Sequence, residues 1–275
     1  MTDAPLYIQI NFWLILASAG ILLMCCCIPL QEKKRIRIEG ATYSLPLLSG
    51  VFPLQRPRIF DNVLTLSYIA FTALLYASAS TADSVAENSQ QEYTFIGTII
   101  SLLLPIIIYL PLIARYMIVF YPLKGLSKRH CGYTLLCLTG IYLSIIVFVG
   151  LSGFQEWIIE VTGTPETQKA VQNLKDASFQ DFIILTISAT IIAPFVEEIV
   201  FRGFFFRVIS YKIGLIAAAI LSSVLFSSIH LSLAQTPALT IFALFQCYLY
   251  NKTQSIIYPM MLHMAFNIIG VLMTL

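Results

Sequence analysis

Long, uninterrupted apolar runs limit what this chain can fold into more than any other feature of its sequence. Of its 275 residues, 58% are hydrophobic and 11% are charged, whereas an ordinary soluble domain has about 45–50% apolar and about 25% charged residues. A helix needs about 20 consecutive apolar residues to cross a bilayer. The sequence therefore predicts an all-α fold, a polytopic membrane helix bundle.

Eight segments are apolar enough to be candidate membrane spans, and two of them are unusual in length. They are Ile8–Leu30, Asn62–Ser80, Ile96–Phe120, Tyr133–Leu151, Phe182–Ser210, Ile213–His230, Pro237–Tyr250 and Ile256–Leu275. The fifth is long for one crossing, and the seventh is short. We expect about eight transmembrane helices, about four of them in residues 1–180.

The charged residues indicate how the spans are oriented. Of the 16 basic residues, all fall on loops of one side except Lys169 and Lys175. Cytoplasmic loops collect Lys and Arg. This predicts a multi-pass integral membrane protein, in the cell membrane if bacterial, with both termini on the non-cytoplasmic side. The net charge of +2 excludes a nucleic-acid partner recruited by bulk positive charge.

Two connecting segments are longer than turns. The basic loop Gln31–Asp61 is expected either to lie on anionic membrane lipid or to be a solvated connector. The segment Ser152–Gln180 contains Pro165–Asp176, whose Val171 and Leu174 predict a short amphipathic helix on the outer face.

Ionisable side chains inside the spans concentrate in the last hundred residues. Such groups cost at least a few kcal/mol each at membrane depth and are functional candidates by default. At about 1.5 Å rise per residue, Glu197, His230 and His263 lie at depths of about 8, 13 and 10 Å below the cytoplasmic boundary. The three side chains are therefore expected in one layer.

Helical geometry then separates two adjacent glutamates. Neighbouring residues on a helix point about 100° apart, so we expect that Glu197 and Glu198 do not both reach one small cluster. Glu198 and Arg202 are four residues apart, which predicts a buried ion pair that steadies the helix. Glu197 is then left for the cluster, to which His230, His263 and Asn267 would add two imidazoles and an amide.

These residues form three motifs in order along the chain. They are Glu197-Glu198-x-x-x-Arg202, Phe226-x-x-x-His230 and His263-x-x-x-Asn267, with Phe201 and Gly203 beside the arginine. The set resembles the motifs of the CAAX-processing and bacteriocin-processing intramembrane proteases, which are related to the Ras-converting CAAX endopeptidase. The resemblance covers residues 181–275, which we interpret as a catalytic helical core.

The resemblance implies an endopeptidase that cuts membrane-anchored peptides or proteins near the cytoplasmic face, with prenylated CAAX-type sequences as one candidate substrate class. Glu197 would be the general base, His230 its partner on the attacking water, and His263 with Asn267 the oxyanion donors. Glu198, Arg202 and Phe226 would be structural supports. Members of the family are also described as metalloproteases, so Glu197, His230 and His263 are candidate Zn²⁺ ligands, although the HExxH pattern of classical zinc proteases is absent.

Four alternatives remain open at this stage. The cluster could be a polar network that only packs spans together. The protein could be a non-catalytic membrane scaffold or bacteriocin-immunity protein, or a transporter, although no inverted repeat is evident. Gly150-Leu151-Ser152-Gly153 suggests a rhomboid-like serine protease, but Ser152 is expected at the outer end of a helix, far in depth from His263.

Overall fold

The structure, a computed structural model, describes residues 126–166, 168–230 and 232–275, with single residues at positions 6, 9, 10, 13, 107, 110 and 114. The basic loop Gln31–Asp61 and the second predicted span lie outside the described residues. So do the first and third spans, except for those single positions. Throughout the described part the chain is helical and contains no strand, which agrees with the predicted all-α fold.

The described helices are numbered here in chain order. They are α1 (Lys128–Ile145), α2 (Phe154–Thr162), α3 (Lys169–Lys175), α4 (Phe179–Ile187), α5 (Ala193–Glu198), α6 (Arg207–Ile213), α7 (Leu215–Ser228), α8 (Thr236–Thr253) and α9 (Ile257–Leu272). A π-helical turn, Ile146–Gly150, extends α1. Helices α4, α5 and α6 form one composite helix, residues 179–213, because the π-helical segments Ser188–Ile192 and Ile199–Phe206 join them.

Two described helices are long and apolar enough to cross a membrane. They are Lys128–Gly150, with 23 residues, and Phe179–Ser210, with 32, and they correspond to the fourth and fifth predicted spans. Helices α7 and α9 are apolar but shorter. At 14 residues, α7 is about 21 Å long, less than the roughly 30 Å of a bilayer core. The total of eight spans stays a prediction.

Helix α7 ends before His230, although the sixth span was predicted to include that residue. The hydroxyls of Ser227 and Ser228 both donate to the carbonyl oxygen of Val224, at 2.9 and 2.7 Å. Serine side chains that bond backbone carbonyls in this way compete with the helical hydrogen bonds. His230 consequently lies in the turn that follows α7.

The two ends of the bundle carry different residues. At one end, the backbone N–H of Ser127 donates to the Tyr258 hydroxyl at 2.8 Å, and the Lys252 ammonium lies 5.6 Å from the ring centre of Tyr133. At the other end, the Gln235 amide donates to the carbonyl of Glu166 at 2.9 Å. This separation agrees with the predicted alternation of loops, while the orientation in the cell stays a prediction.

The connecting segment at the second end contains two short helices. Helix α3 lies within the predicted Pro165–Asp176, and Leu174 is buried. Helix α2 was not predicted. It begins and ends at glycines in the left-handed conformation, Gly153 and Gly163, with φ of 65° and 66°, which residues with a Cβ atom rarely adopt.

Two glycines of α1 differ in what surrounds them. A Cβ atom added at Gly140 would lie 3.0 Å from a ring carbon of Phe245 on α8, whereas one added at Gly132 would meet no described atom within 4 Å. Gly140 therefore permits the close approach of α1 and α8.

We expect valine at these two positions to have different effects on stability. Gly140→Val should lower the free energy of unfolding by about 1–3 kcal/mol, because an overpacked contact forces neighbouring side chains to move. Gly132→Val should be nearly neutral. Thermal unfolding of the two variants in the same detergent measures the difference, and equal melting temperatures would contradict the assigned contact.

Candidate active site

The composite helix places two adjacent carboxylates in its middle. Glu197 and Glu198 end the six-residue helix α5, between the two π-helical segments. Pro194 lies at the start of α5 and has no N–H to bond the carbonyl four residues earlier, and the first π segment ends just before it. π-helical turns of this kind are frequent at functional sites.

The Glu198 carboxylate is the centre of a buried hydrogen-bond network. Its Oε1 atom accepts from Arg202 Nη1 at 3.0 Å, from His263 Nδ1 at 2.8 Å and from Gln246 Nε2 at 3.3 Å. The side chains of Glu198 and Arg202 are completely buried. The ion pair predicted from the spacing of Glu198 and Arg202 is therefore present, and it also connects the composite helix to α8 and α9.

Both glutamates approach the same histidine, which contradicts the expectation that they could not share one small cluster. His263 Nε2 lies 3.8 Å from Glu197 Oε2, while His263 Nδ1 contacts Glu198. The expectation failed because the two nitrogens of an imidazole face different directions. A ring that stands between two diverging side chains can meet one with each nitrogen.

His230 is held by the backbone of its own motif. Its Nδ1 atom lies 2.8 Å from the carbonyl oxygen of Phe226. A carbonyl can only accept, so Nδ1 carries the hydrogen, and Nε2 of the neutral ring is an acceptor. This assignment leaves one basic nitrogen of His230 for chemistry.

The Phe226 ring joins the first and second motifs to the third. Its centre lies 4.7 Å from that of His230 and 5.9 Å from that of His263. The guanidinium carbon of Arg202 lies 4.6 Å from the same ring centre, within the range of a cation–π interaction. Phe226 itself is fully buried. It therefore spaces the two imidazoles and contacts the cation of the ion pair.

Asn267 contacts the first π-helical segment. Its Nδ2 atom donates to the carbonyl oxygen of Ala189 at 2.7 Å, which fastens α9 to the composite helix. One hydrogen of that amide remains for another acceptor. The predicted role of Asn267 as an oxyanion donor stays a prediction.

Gln246 belongs to the network but was not predicted from the sequence. It is completely buried on α8, and its amide donates to Glu198. A carboxamide in the middle of an apolar helix is an expensive residue at membrane depth, and that signal could have identified it.

The candidate zinc ligands do not form a metal site in this arrangement. No three His, Cys, Asp or Glu side chains in the described ranges are grouped so that they could hold a metal ion. The Nδ1 atoms of His230 and His263 both contact protein oxygens, which leaves Nε2 as the nitrogen of each ring that a metal could take. The interpretation of Glu197, His230 and His263 as Zn²⁺ ligands stays a prediction.

Comparisons with known proteins agree with the motifs. Residues 179–269 match the family model described as "Type II CAAX prenyl endopeptidase Rce1-like", which confirms the resemblance noted above. The chain is also 24% identical over 230 residues to "Putative membrane peptidase YdiL" of Bacillus subtilis (strain 168), covering 80% of this chain and 91% of that protein. No solved structure matches the chain. With its apolar helices, this relationship supports an integral membrane protein.

Breaking the buried ion pair from one side should be costly. Glu198→Ala leaves the Arg202 charge buried without its carboxylate and should lower the free energy of unfolding by about 3–5 kcal/mol. The double variant Glu198→Gln with Arg202→Met removes both charges and should be markedly more stable than Glu198→Ala.

Thermal unfolding in detergent, with Gln246→Leu for comparison, measures these effects. Gln246→Leu removes one neutral donor and should cost about 1 kcal/mol. A double variant no more stable than Glu198→Ala would contradict the assigned charge pairing.

Proposed function

We propose that this chain, Rce1-like over residues 179–269, is an intramembrane endopeptidase that hydrolyses a peptide bond of membrane-anchored substrates. The observation that carries the proposal is the placement of His263 between the carboxylates of Glu197 and Glu198. A network needed only for packing would be served by Glu198, Arg202 and Gln246. It would not need a second carboxylate on the other side of the imidazole.

Glu197 is the proposed general base. Its side chain is 23% exposed, in contrast to the completely buried Glu198. Its Oε2 atom is itself buried and has no hydrogen-bond partner among the described residues. It can therefore accept a proton from a water molecule that attacks the substrate carbonyl. His230, with its free Nε2, is the proposed second acceptor that orients this water.

His263 and Asn267 are the proposed donors to the oxyanion of the tetrahedral intermediate. With Nδ1 bonded to Glu198, the imidazole can present a hydrogen from Nε2 in its doubly protonated form, whose charge the carboxylate stabilises. Donors fixed in a dry site act strongly on developing charge, because little reorganisation is needed. Glu197 then returns the proton to the leaving amine nitrogen, which completes hydrolysis.

The substrate is proposed to be a peptide or protein with a membrane anchor, and a prenylated CAAX-type sequence is one candidate. This rests on the family description and on the apolar helices around the site. The basic loops and the depths calculated from the sequence predict a cut near the cytoplasmic face. In the structure, the turn Leu233–Gln235 that follows His230 lies at the end of the bundle opposite Ser127 and Tyr258, so the side of the membrane on which the cut occurs stays a prediction.

Replacing the base should abolish hydrolysis without unfolding the protein. Glu197→Gln keeps the size of the side chain but cannot take up a proton, so kcat/KM should fall by about 100-fold or more. Cleavage of a library of membrane-anchored peptides by purified protein in proteoliposomes measures this.

Glu160→Gln is the matched control for this experiment, because Glu160 is exposed on α2 and should leave cleavage unchanged. Equal activity of wild type and Glu197→Gln would overturn the assignment of the base. No cleavage by a folded wild-type protein of any peptide would favour a scaffold or immunity function.

A chelator tests the metal question separately. Because the candidate ligands do not group in the described arrangement, we expect activity to survive prolonged treatment with a chelator and dialysis. Activity lost on treatment and restored by added Zn²⁺ would favour Zn²⁺ binding by Glu197, His230 and His263.

A further inference from the structure

Helix α2 presents a strongly apolar face that is largely exposed. Phe154, Trp157 and Val161 are 43%, 55% and 53% exposed. Leu151, one turn before the helix, is 78% exposed. The rings of Phe154 and Trp157 stack with their centres 5.6 Å apart. Residues spaced by three and four positions share one helical face, so Phe154, Trp157 and Val161 form a single strip, and Leu151 precedes it in the chain.

The surface of α2 is divided into three sectors. At about 100° per residue, Phe154, Trp157 and Val161 lie within about 60° of one another. Ile158, which is buried, faces the protein on one side of this strip. Glu156 and Glu160, both exposed, lie on the other side. The helix therefore has one face for the protein, one apolar face and one acidic face.

The apolar strip continues the exposed apolar surface of the preceding candidate span. Val147 and Phe148, near the end of Lys128–Gly150, are 49% and 67% exposed, and Leu151 follows directly in the chain. Gly153 then turns the chain into α2. A helix at the end of a span, with Trp and Phe on one face and carboxylates on another, has the amphipathic pattern of helices that lie in the plane of the membrane interface.

We propose that α2 is an interfacial helix whose partner is the lipid bilayer, with Phe154, Trp157 and Val161 inserted at the boundary between headgroups and acyl chains. The acidic residues Glu156 and Glu160 then face water. Lipid is the partner of this face for two reasons. The strip is continuous with a candidate membrane span, and Glu156 and Glu160 lie beside it on the side away from the protein.

The position of α2 gives this contact a structural consequence. Helix α2 packs against the turn Leu233–Gln235, which follows His230 by three residues. The segment between α2 and α3 also accepts a hydrogen bond from Gln235 through the Glu166 carbonyl. Helix α2, which rests on lipid, therefore packs on the Leu233–Gln235 turn beside the candidate active site. This contact fixes the depth of that turn at the interface.

Tryptophan fluorescence tests the proposal directly, because the chain has two tryptophans. In the full-length Trp13→Phe variant, Trp157 is the sole reporter. The variant is reconstituted in phosphatidylcholine vesicles that carry a quencher either near the headgroup or near the end of the acyl chain. We expect quenching of Trp157 to be about twofold stronger from the shallow quencher, because an interfacial helix is buried only about 5–10 Å.

A second reporter on the same helix serves as the matched control. A triple variant combines Trp13→Phe, Trp157→Phe and Glu160→Trp, so that the only indole lies in the acidic sector. We expect aqueous iodide to quench its fluorescence and both lipid-borne quenchers to have little effect. If Trp13→Phe does not fold, subtracting the signal of Trp157→Phe from that of wild type isolates Trp157.

Three results would overturn the proposal. Strong quenching of Trp157 by iodide alone would place the strip in water. Stronger quenching from the deep position would place α2 inside the bilayer. No quenching by lipid or iodide would mean that residues 1–125 or a second copy of the chain cover the strip. None of these readouts depends on peptidase activity, so the outcome is independent of the proposed function.

Discussion

The buried carboxylate of Glu198 is the interaction on which the rest of the candidate site depends. A charge removed from water is tolerated only when it is paired and hydrogen-bonded. Glu198 Oε1 meets this requirement with donors from its own helix, from α8 and from α9. Because one atom collects all three, the relative positions of these helices are tied to the orientation of the His263 ring. The network that stabilises the bundle therefore also sets the geometry available for chemistry.

Irregular helix segments place the remaining groups around this centre. The π-helical segments on either side of α5 isolate the two glutamates in a short stretch, and the carbonyl of Ala189 in the first segment receives the amide of Asn267. The serines that end α7 put His230 in a turn. Departures from regular helix thus occur at the places where the candidate site residues meet. Such departures from local sequence rules are expected at functional sites.

Polar groups at membrane depth were informative because each one is costly. The sequence located Glu197, Glu198, Arg202, His230, His263 and Asn267 by this argument alone, and the motifs matched a known family over residues 179–269. It missed Gln246, a neutral amide whose cost is smaller, and it missed the nine-residue helix α2, although its apolar residues recur at spacings of three and four positions. The role of Gln246 depends on its contact with Glu198 on another helix, and the role of α2 depends on the elements it packs against.

The sequence by itself determined the helical class, the fourth and fifth membrane-span candidates and the Glu198–Arg202 pair, because hydropathy and i,i+4 spacing are local properties of one segment. Only the tertiary structure decided that Glu197 and Glu198 share His263, since that depends on where α9 places an imidazole ring between two diverging side chains. The same holds for Phe226, whose position between two histidines and a guanidinium follows from packing among helices far apart in the chain. Contacts of this kind join residues that no local pattern relates.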